Sequence, residues 1–266
     1  MIQKELALKV TDIVRQAGTR MRQECSVQIR TKEGHANFVT DIDVSIQNEL
    51  LEKLQNVLPG AAFIAEEKDN RVPGGLTWII DPIDGTQNFI NGYQHSAISV
   101  ALVSEGEGCL GVVYDPYLQE MFWAVRGGGA FINDRPIQVS ERPLEQGLVI
   151  LGTSPYRRDL AKQTFSAAEA IFQRCGDIRR SGSAALDLSY LAAGRCEGFF
   201  EMVLSPWDYA AASVLIREAG GTIDAIAPDA WGYDKPIGIV AGNQKSFQAL
   251  KHMVDVHKQE ENDGKF

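Results

Sequence analysis

Residues 78–86 read Trp-Ile-Ile-Asp-Pro-Ile-Asp-Gly-Thr, an apolar run that ends abruptly in two acids, Asp81 and Asp84. A buried strand delivering carboxylates at its C-terminal end places them in the crevice where α/β proteins bind ligands. Pro82 fixes one backbone angle and has no N–H, so the ladder is expected to stop there and both acids to turn toward a common point. Gly85 permits close backbone approach, and the N–H groups of Gly85 and Thr86 would open a helix, a place where anions bind. Carboxylates beside an anion repel it unless divalent cations stand between them. The combination implies hard cations plus phosphate, with magnesium the natural ion.

Every part of this pattern also has an ordinary local explanation. Asp-Pro and Asp-Gly are common turn pairs, and Asp84 alone reads as a cap of the next helix. Glu66 and Glu67 close the apolar run 61–65, but adjacent glutamates are usually only a solvated face. Asp208 follows Ser205 and Pro206, which read as N-cap and first helical residue, and the helix dipole alone favours an acid there. Asp43 is a second helix-start acid, and Lys32 reads as a loop lysine.

The elements that must carry these residues follow from periodicity. Ile2, Leu6, Val10, Ile13, Val14 and Ala17 recur at helical spacing, and a second helix is expected over about 43–58 with Val44, Ile46, Leu50, Leu51, Leu54 and Leu58 as its stripe. From residue 61 to about 140, short runs rich in branched and aromatic residues alternate with Gly, Pro and Asn-Asp turns. They predict an antiparallel sheet packed on the first two helices. Beyond about Pro143, strands alternate with helices near 158–174, 183–193, 206–219 and 244–257. The fold class is thus α/β: an α+β lobe over 1–143 carrying most of the acids, and an α/β lobe over 144–266 carrying Asp208.

Composition narrows the function. The 266 residues include 35 acidic and 26 basic side chains, a formal charge of −9. That balance argues against a nucleic-acid polymer as ligand, because phosphate backbones are held mainly by Lys and Arg. The four cysteines have no paired zinc-type spacing, and His35, His95, His252 and His257 form no ligand pattern. No Gly-x-Ser-x-Gly elbow supports a serine hydrolase. The first residues form a mixed-charge amphipathic pattern without an apolar signal core, and no stretch is apolar enough for a membrane span; a cytoplasmic protein with no membrane partner is expected.

On these strings the chain resembles the inositol monophosphatase family of magnesium-dependent, lithium-sensitive phosphatases. Residues 78–89 are similar to the family's first signature and 207–221 to its second. The likeness extends from Lys32 through 38–43, 62–67 and 182–186 to 199–208. It implies a layered α/β/α/β/α sandwich, a homodimer, and two bound Mg²⁺ ions, with a third in some members. Glu66, Asp81 and the carbonyl of Ile83 would hold the first ion; Asp81, Asp84 and Asp208 would hold the second. Gly85 and Thr86 would cradle phosphate, Asp43 would bond the Thr86 hydroxyl, and Lys32 would lie on a mobile loop. Ala184 and Glu201 would contact the substrate ring. The implied reaction is hydrolysis of myo-inositol monophosphate by metal-activated water, with Glu66 and Thr86 orienting or deprotonating that water.

Some positions depart from the family pattern. Gln87 stands where threonine is common, Asn37 where aspartate is frequent, and Lys68 where a small or polar residue is usual; a cation at 68 would weaken lithium sensitivity or shift the magnesium optimum. Substrate is less constrained than chemistry. Fructose 1,6-bisphosphate, 3′-phosphoadenosine 5′-phosphate and other small esters are alternatives, while Glu201 favours the inositol branch, its ordinary reading being a surface strand acid. Two readings of another class stand beside these: a catalytically weak metal- and phosphate-binding regulator, since some relatives contribute to RNA-polymerase-associated complexes, and an architectural dimer subunit whose acids are only caps.

Overall fold

A run of small and branched residues on one side of an otherwise charged segment makes α1 (Ile2–Gln23), which buries Ala7, Val10, Val14, Ala17 and Met21. The computed structural model describes residues 2–23, 29–31, 38–67 and 75–263; Lys32, Asn37 and Lys68 lie outside them. Strands β1 (Ile29–Thr31) and β2 (Phe38–Thr40) pair antiparallel and lead into α2 (Asp41–Val57). Thr40 caps α2 in a reciprocal box with Asp43. The buried face of α2 runs Ile42, Ile46, Leu50, Leu54; Val44, expected in that stripe, is exposed because it lies two residues, about 200° of helical turn, from its buried neighbours.

The first sheet contains seven strands in the order β3-β4-β5-β6-β7-β8-β9. They are β3 (Ala62–Ala65), β4 (Leu76–Asp84), β5 (Ala97–Ser104), β6 (Glu107–Asp115), β7 (Glu120–Val125), β8 (Gly129–Ile132) and β9 (Arg135–Ile137), with a short helix α3 (Thr86–Ile90) after β4. It is antiparallel as expected except at its edge, where β3 runs parallel to β4. Such a pair needs a crossover connection in place of a tight hairpin turn. Strand β4 is buried on both faces: Trp78 and Ile80 join the core under α1 and α2, while Ile79 joins the core on the other side. This accounts for its continuous apolar run where a half-exposed strand would alternate.

The second sheet has five strands in the order β11-β10-β12-β14-β13. These are β10 (Leu148–Leu151), β11 (Asp177–Arg179), β12 (Gly198–Leu204), β13 (Thr222–Ala225) and β14 (Ile237–Gly242). Strand β10 pairs parallel with β11 and β12, whereas β14 runs antiparallel to β12 and β13. Helices α4 (Ala161–Phe172) and α7 (Phe247–Asp263) cover its outer face. Between the two sheets lie α5 (Ala184–Ala192) and α6 (Pro206–Glu218), in one core with residues of both. The layers therefore alternate α/β/α/β/α. A division at 143/144 falls between Ile137, where the first sheet ends, and Leu148, where the second begins. We propose it as a boundary between sheets and not between cores, since α5 and α6 pack on the first sheet from beyond it.

Helix α6 approaches the first sheet closely. A Cβ on Gly111 of β6 would lie 2.1 Å from the carbonyl oxygen of Ala211, so helix backbone rests on strand backbone. Among the described residues, Cys109, Cys175 and Cys196 carry free thiols.

Candidate metal centre

Strand β4 does not end at Pro82. Its pairing with β5 shifts register between Asp81, opposite Ser99, and Asp84, opposite Ala97, so the proline sits in a bulge and the ladder resumes beyond it. Inside the bulge the N–H of Ile83 donates to Asp81 Oδ1 at 3.0 Å. Asp84 caps a helix, but not the one that follows it. Its Oδ2 accepts from the Ser183 hydroxyl and, at 2.9 Å, from the N–H of Ala185 in the first turn of α5. Asp208 lies in the first turn of α6, where its Oδ2 accepts the N–H of Ser205 at 2.7 Å.

These three aspartates converge: one oxygen from each of Asp81, Asp84 and Asp208 lies within 4.8 Å of the others. Each has one oxygen held by a backbone N–H, from Ile83, Ala185 and Ser205 respectively, and among the described residues no hydrogen bond reaches the other. These bonds orient the three carboxylates. Electrostatics follow. Burial, then the charges of Glu66, Asp84 and Asp208, push Asp81 well above the usual carboxylate range. Burial, then Asp84 and Glu66, do the same to Asp208. Asp84 is raised by burial to about 6, held back by its bonds from Ser183 and Ala185. Buried acids in this state need protons or a cation.

Glu66 follows β3, and its N–H donates to the Ile80 carbonyl at 3.3 Å. It stands outside the group of three, near enough to bear on Asp81 and Asp208. Asp43 is fully buried at the start of α2, bonded by the N–H and hydroxyl of Thr40. The Thr86 hydroxyl lies 3.4 Å from Asp43 Oδ1 and 3.1 Å from the Ile83 carbonyl; with one proton, it donates to one of them at a time. Gly85 is left-handed at φ +86°, and a Cβ there would meet the carbonyls of Gly182 and His95 at 3.1 Å. Helix α3 is only five residues long, so little macrodipole stands behind the expected anion site. What it offers is individual N–H groups.

A sequence model of the inositol monophosphatase family matches residues 1–259. The chain belongs to the inositol monophosphatase family. It is 39% identical over 235 residues to an inositol-1-monophosphatase of Rhizobium meliloti, covering 86% of both chains. It is 38% identical over 227 residues to the Nus factor SuhB of Vibrio cholerae, covering 83% of both. Among solved structures, the Thermotoga maritima IMPase superposes with a TM-score of 0.85 at 31% identity, over 94% of this chain and 96% of that one.

In this inositol monophosphatase fold the remaining expected residues take definite places. Ala184 opens α5 and is buried. Glu201, on β12, is not a surface acid: it is 6% exposed, and Oε1 accepts the N–H of Ser154 at 2.7 Å. Its Oε2 occupies the space a Cβ on Gly152 would need. Burial raises Glu201 to about 7, against the lowering effect of the Ser154 bond. Lys32 lies outside the described residues.

Several supporting residues escaped the sequence reading. Ser183 precedes the apolar stretch of α5 and looks like an N-cap, yet its hydroxyl serves Asp84 instead. Ser154 is a buried non-glycine residue at φ +41°, exchanging bonds with Val203 as well as Glu201. Asn88 ties three segments together by donating to the carbonyls of His95 at 2.8 Å and Ser181 at 2.9 Å. His95 Nε2 lies 3.6 Å from Asp187; burial alone would lower this imidazole, but Asp187, Asp115 and Asp84 carry it up. Tyr156, 59% exposed after β10, has its hydroxyl raised by desolvation and then by the charges of Glu66, Asp208, Asp81 and Asp84. Ser183 carries a local cap signal and falls in the family-like stretch 182–186. Its bond to Asp84, like the interactions of the other four, joins distant segments that sequence spacing does not show.

Proposed function

We propose that this chain is a magnesium-dependent phosphomonoesterase acting on myo-inositol monophosphate. The observation that carries the reading is the convergence of Asp81 and Asp84, both buried, with the partly buried Asp208, one oxygen of each within 4.8 Å of the others. The donor set fits Mg²⁺ or a similar hard ion: all oxygens, each steadied from the backbone side, with the Ile83 carbonyl and Glu66 as neighbours. When bound, such ions neutralise phosphate charge and make water acidic enough to attack phosphorus. Asp81, Asp84 and Asp208 would hold them, with Glu66 and the Ile83 carbonyl completing one side.

The remaining steps belong to the chain itself. Gly85 and Thr86 present N–H groups to the phosphoryl oxygens where no side chain blocks approach. Thr86 hands its proton toward Asp43 or the Ile83 carbonyl, which leaves its lone pairs facing an attacking water. Asp43, raised by burial, with the bonds from Thr40 opposing that rise, fixes that hydroxyl. Glu201 and Ala184 meet the leaving alcohol, Glu201 accepting ring hydroxyls. We further propose a cytoplasmic homodimer; no helix of the described residues is long and apolar enough to cross a membrane.

The deciding experiment is phosphate release from inositol 1-phosphate with Mg²⁺ and after chelation, run beside fructose 1,6-bisphosphate and 3′-phosphoadenosine 5′-phosphate. Magnesium-dependent turnover with the highest kcat/KM on the inositol ester is expected. No turnover on any ester sinks the enzyme reading, and preference for another ester sinks the substrate. The likeness to proteins named Nus factor supports a second reading, a regulatory protein that binds a partner. Full partner binding by an Asp81→Asn variant would separate that role from catalysis.

A further inference from the structure

Away from the acid cluster, α1 and the far end of β6 border an open surface pocket of about 350 Å³ lined by the exposed Arg15, Thr19, Arg22 and Gln23 and by Tyr114 and Gln119. Its volume falls at the lower end of the range for small-ligand sites, roughly 300–1,000 Å³. Arg15, Thr19 and Arg22 recur at i, i+4 and i+7, so one face of α1 supplies two guanidinium groups with a hydroxyl between them. The opposite wall is the phenol of Tyr114 and the amide of Gln119, a residue held at φ +56° in the turn before β7. Tyr114 is fixed in place, because its ring lies where a Cβ on Gly18 would be, 2.5 Å away.

The lining is chemically one-sided. Every polar side chain in it can donate, and no carboxylate lines the pocket. Arg15 uses Nη1 on Asp12 at 2.6 Å, and Arg22 uses Nη1 on the Pro116 carbonyl at 3.1 Å. Each contact holds one edge of a guanidinium that carries five N–H donors. The Tyr114 hydroxyl lies in the field of both arginines: burial raises it, while Arg15 and Arg22 pull it down. In a chain of net charge −9, a concave site with two guanidinium groups and no carboxylate in its lining is set apart from its surroundings. It also stands on the opposite face of the sheet from the metal centre, since Tyr114 packs with α1 and α2 whereas α5 and α6 pack on the other side.

We infer that this pocket is a second anion site, taking inorganic phosphate or the phosphoryl group of a small ester between Arg15 and Arg22, with Tyr114 as a further donor. Two fork-shaped donors, with hydroxyl and amide donors beside them, suit an anion with several acceptor oxygens such as a phosphoryl dianion, and not a hydrophobic ligand. Occupancy needs no metal, which separates it from the acid cluster, where an anion is repelled until cations enter.

Equilibrium dialysis of labelled inorganic phosphate against protein stripped of metal on a chelating resin tests this without reference to turnover. One phosphate is expected to bind per chain, weakening as salt is raised. Arg15→Gln with Arg22→Gln should weaken it at least about tenfold, the loss of two charge-assisted contacts, with the thermal melt unchanged. Asp81→Asn should leave it unaltered. The inference is overturned if metal-free protein binds no phosphate at millimolar concentration, if the double arginine variant binds as wild type does, or if Asp81→Asn changes the affinity.

Discussion

Two sets of buried acids occupy this fold, and they are treated in opposite ways. Glu197, fully buried before β12, accepts the N–H of Leu148 at 2.6 Å on one oxygen and Arg142 Nε at 2.8 Å on the other. Both lone-pair sides are satisfied and a cation is already present. Asp81, Asp84 and the partly buried Asp208 each receive backbone or hydroxyl donors on one oxygen and, among the described residues, none on the other. One oxygen of each lies within 4.8 Å of the others. Depth of burial is therefore no mark of function here. What separates a structural acid from a candidate ligand is which half of the carboxylate the protein leaves for something else.

The largest effect that would test this contrast is on turnover. Asp81→Asn should lower Mg²⁺-dependent phosphate release by about two orders of magnitude or more, the scale of losing a charge-stabilising group. The same variant should melt at or above wild type without metal, because a repelling charge has gone. A strongly lowered metal-free melt would return Asp81 to the structural class. Glu197→Ala should do the reverse, costing roughly 1–3 kcal/mol of stability by leaving the Leu148 N–H without its partner and Arg142 to solvent. Specific activity of the folded fraction should stay within twofold.

A third test uses pH. Asp84 is raised from 3.8 to about 6, so between those values the folded protein holds a proton that the unfolded chain has released. Raising pH through that window therefore removes stability from the metal-free protein. The melting advantage of Asp84→Asn over wild type should grow from pH 4 to pH 7 and vanish in excess Mg²⁺. An advantage independent of pH would break the argument. The smallest effect concerns Glu201. Ser154→Ala removes one hydroxyl beside it, and KM for inositol 1-phosphate should rise about three- to tenfold with kcat little changed. A fall in kcat alone would move Ser154 out of substrate positioning.

Much of this site was legible because its residues sit at element ends, where sequence speaks loudly. Apolar runs 61–65 and 76–80 ending in acids, and Ser205-Pro206 announcing α6, locate Glu66, Asp84 and Asp208 at strand and helix termini, whereas Asp81 lies inside β4. The local explanations were also physically real: Asp43 and Asp208 are both members of capping boxes. Capping and convergence are compatible because a carboxylate has two oxygens. The sequence reading erred where tertiary contact decides. Pro82 did not stop β4, since a bulge absorbs the missing donor. Asp84 caps a helix a hundred residues away, and Glu201 is buried because the loop after β10 folds over it. Alternation in β12 alone could not reveal that loop.

The seam between β6 and α6 has a mechanical consequence. With no side chain at Gly111, the helix lies against the strand at Ala211, three residues beyond Asp208. Two of the converging acids ride on the sheet and the third rides on that helix, so the thickness of the seam sets the gap between them. A single added methyl group, Gly111→Ala, would act as a shim: it would lift the helix and widen the gap without altering any acid. The spacing of the three acids is thus gauged by an absence of atoms in the packing beneath.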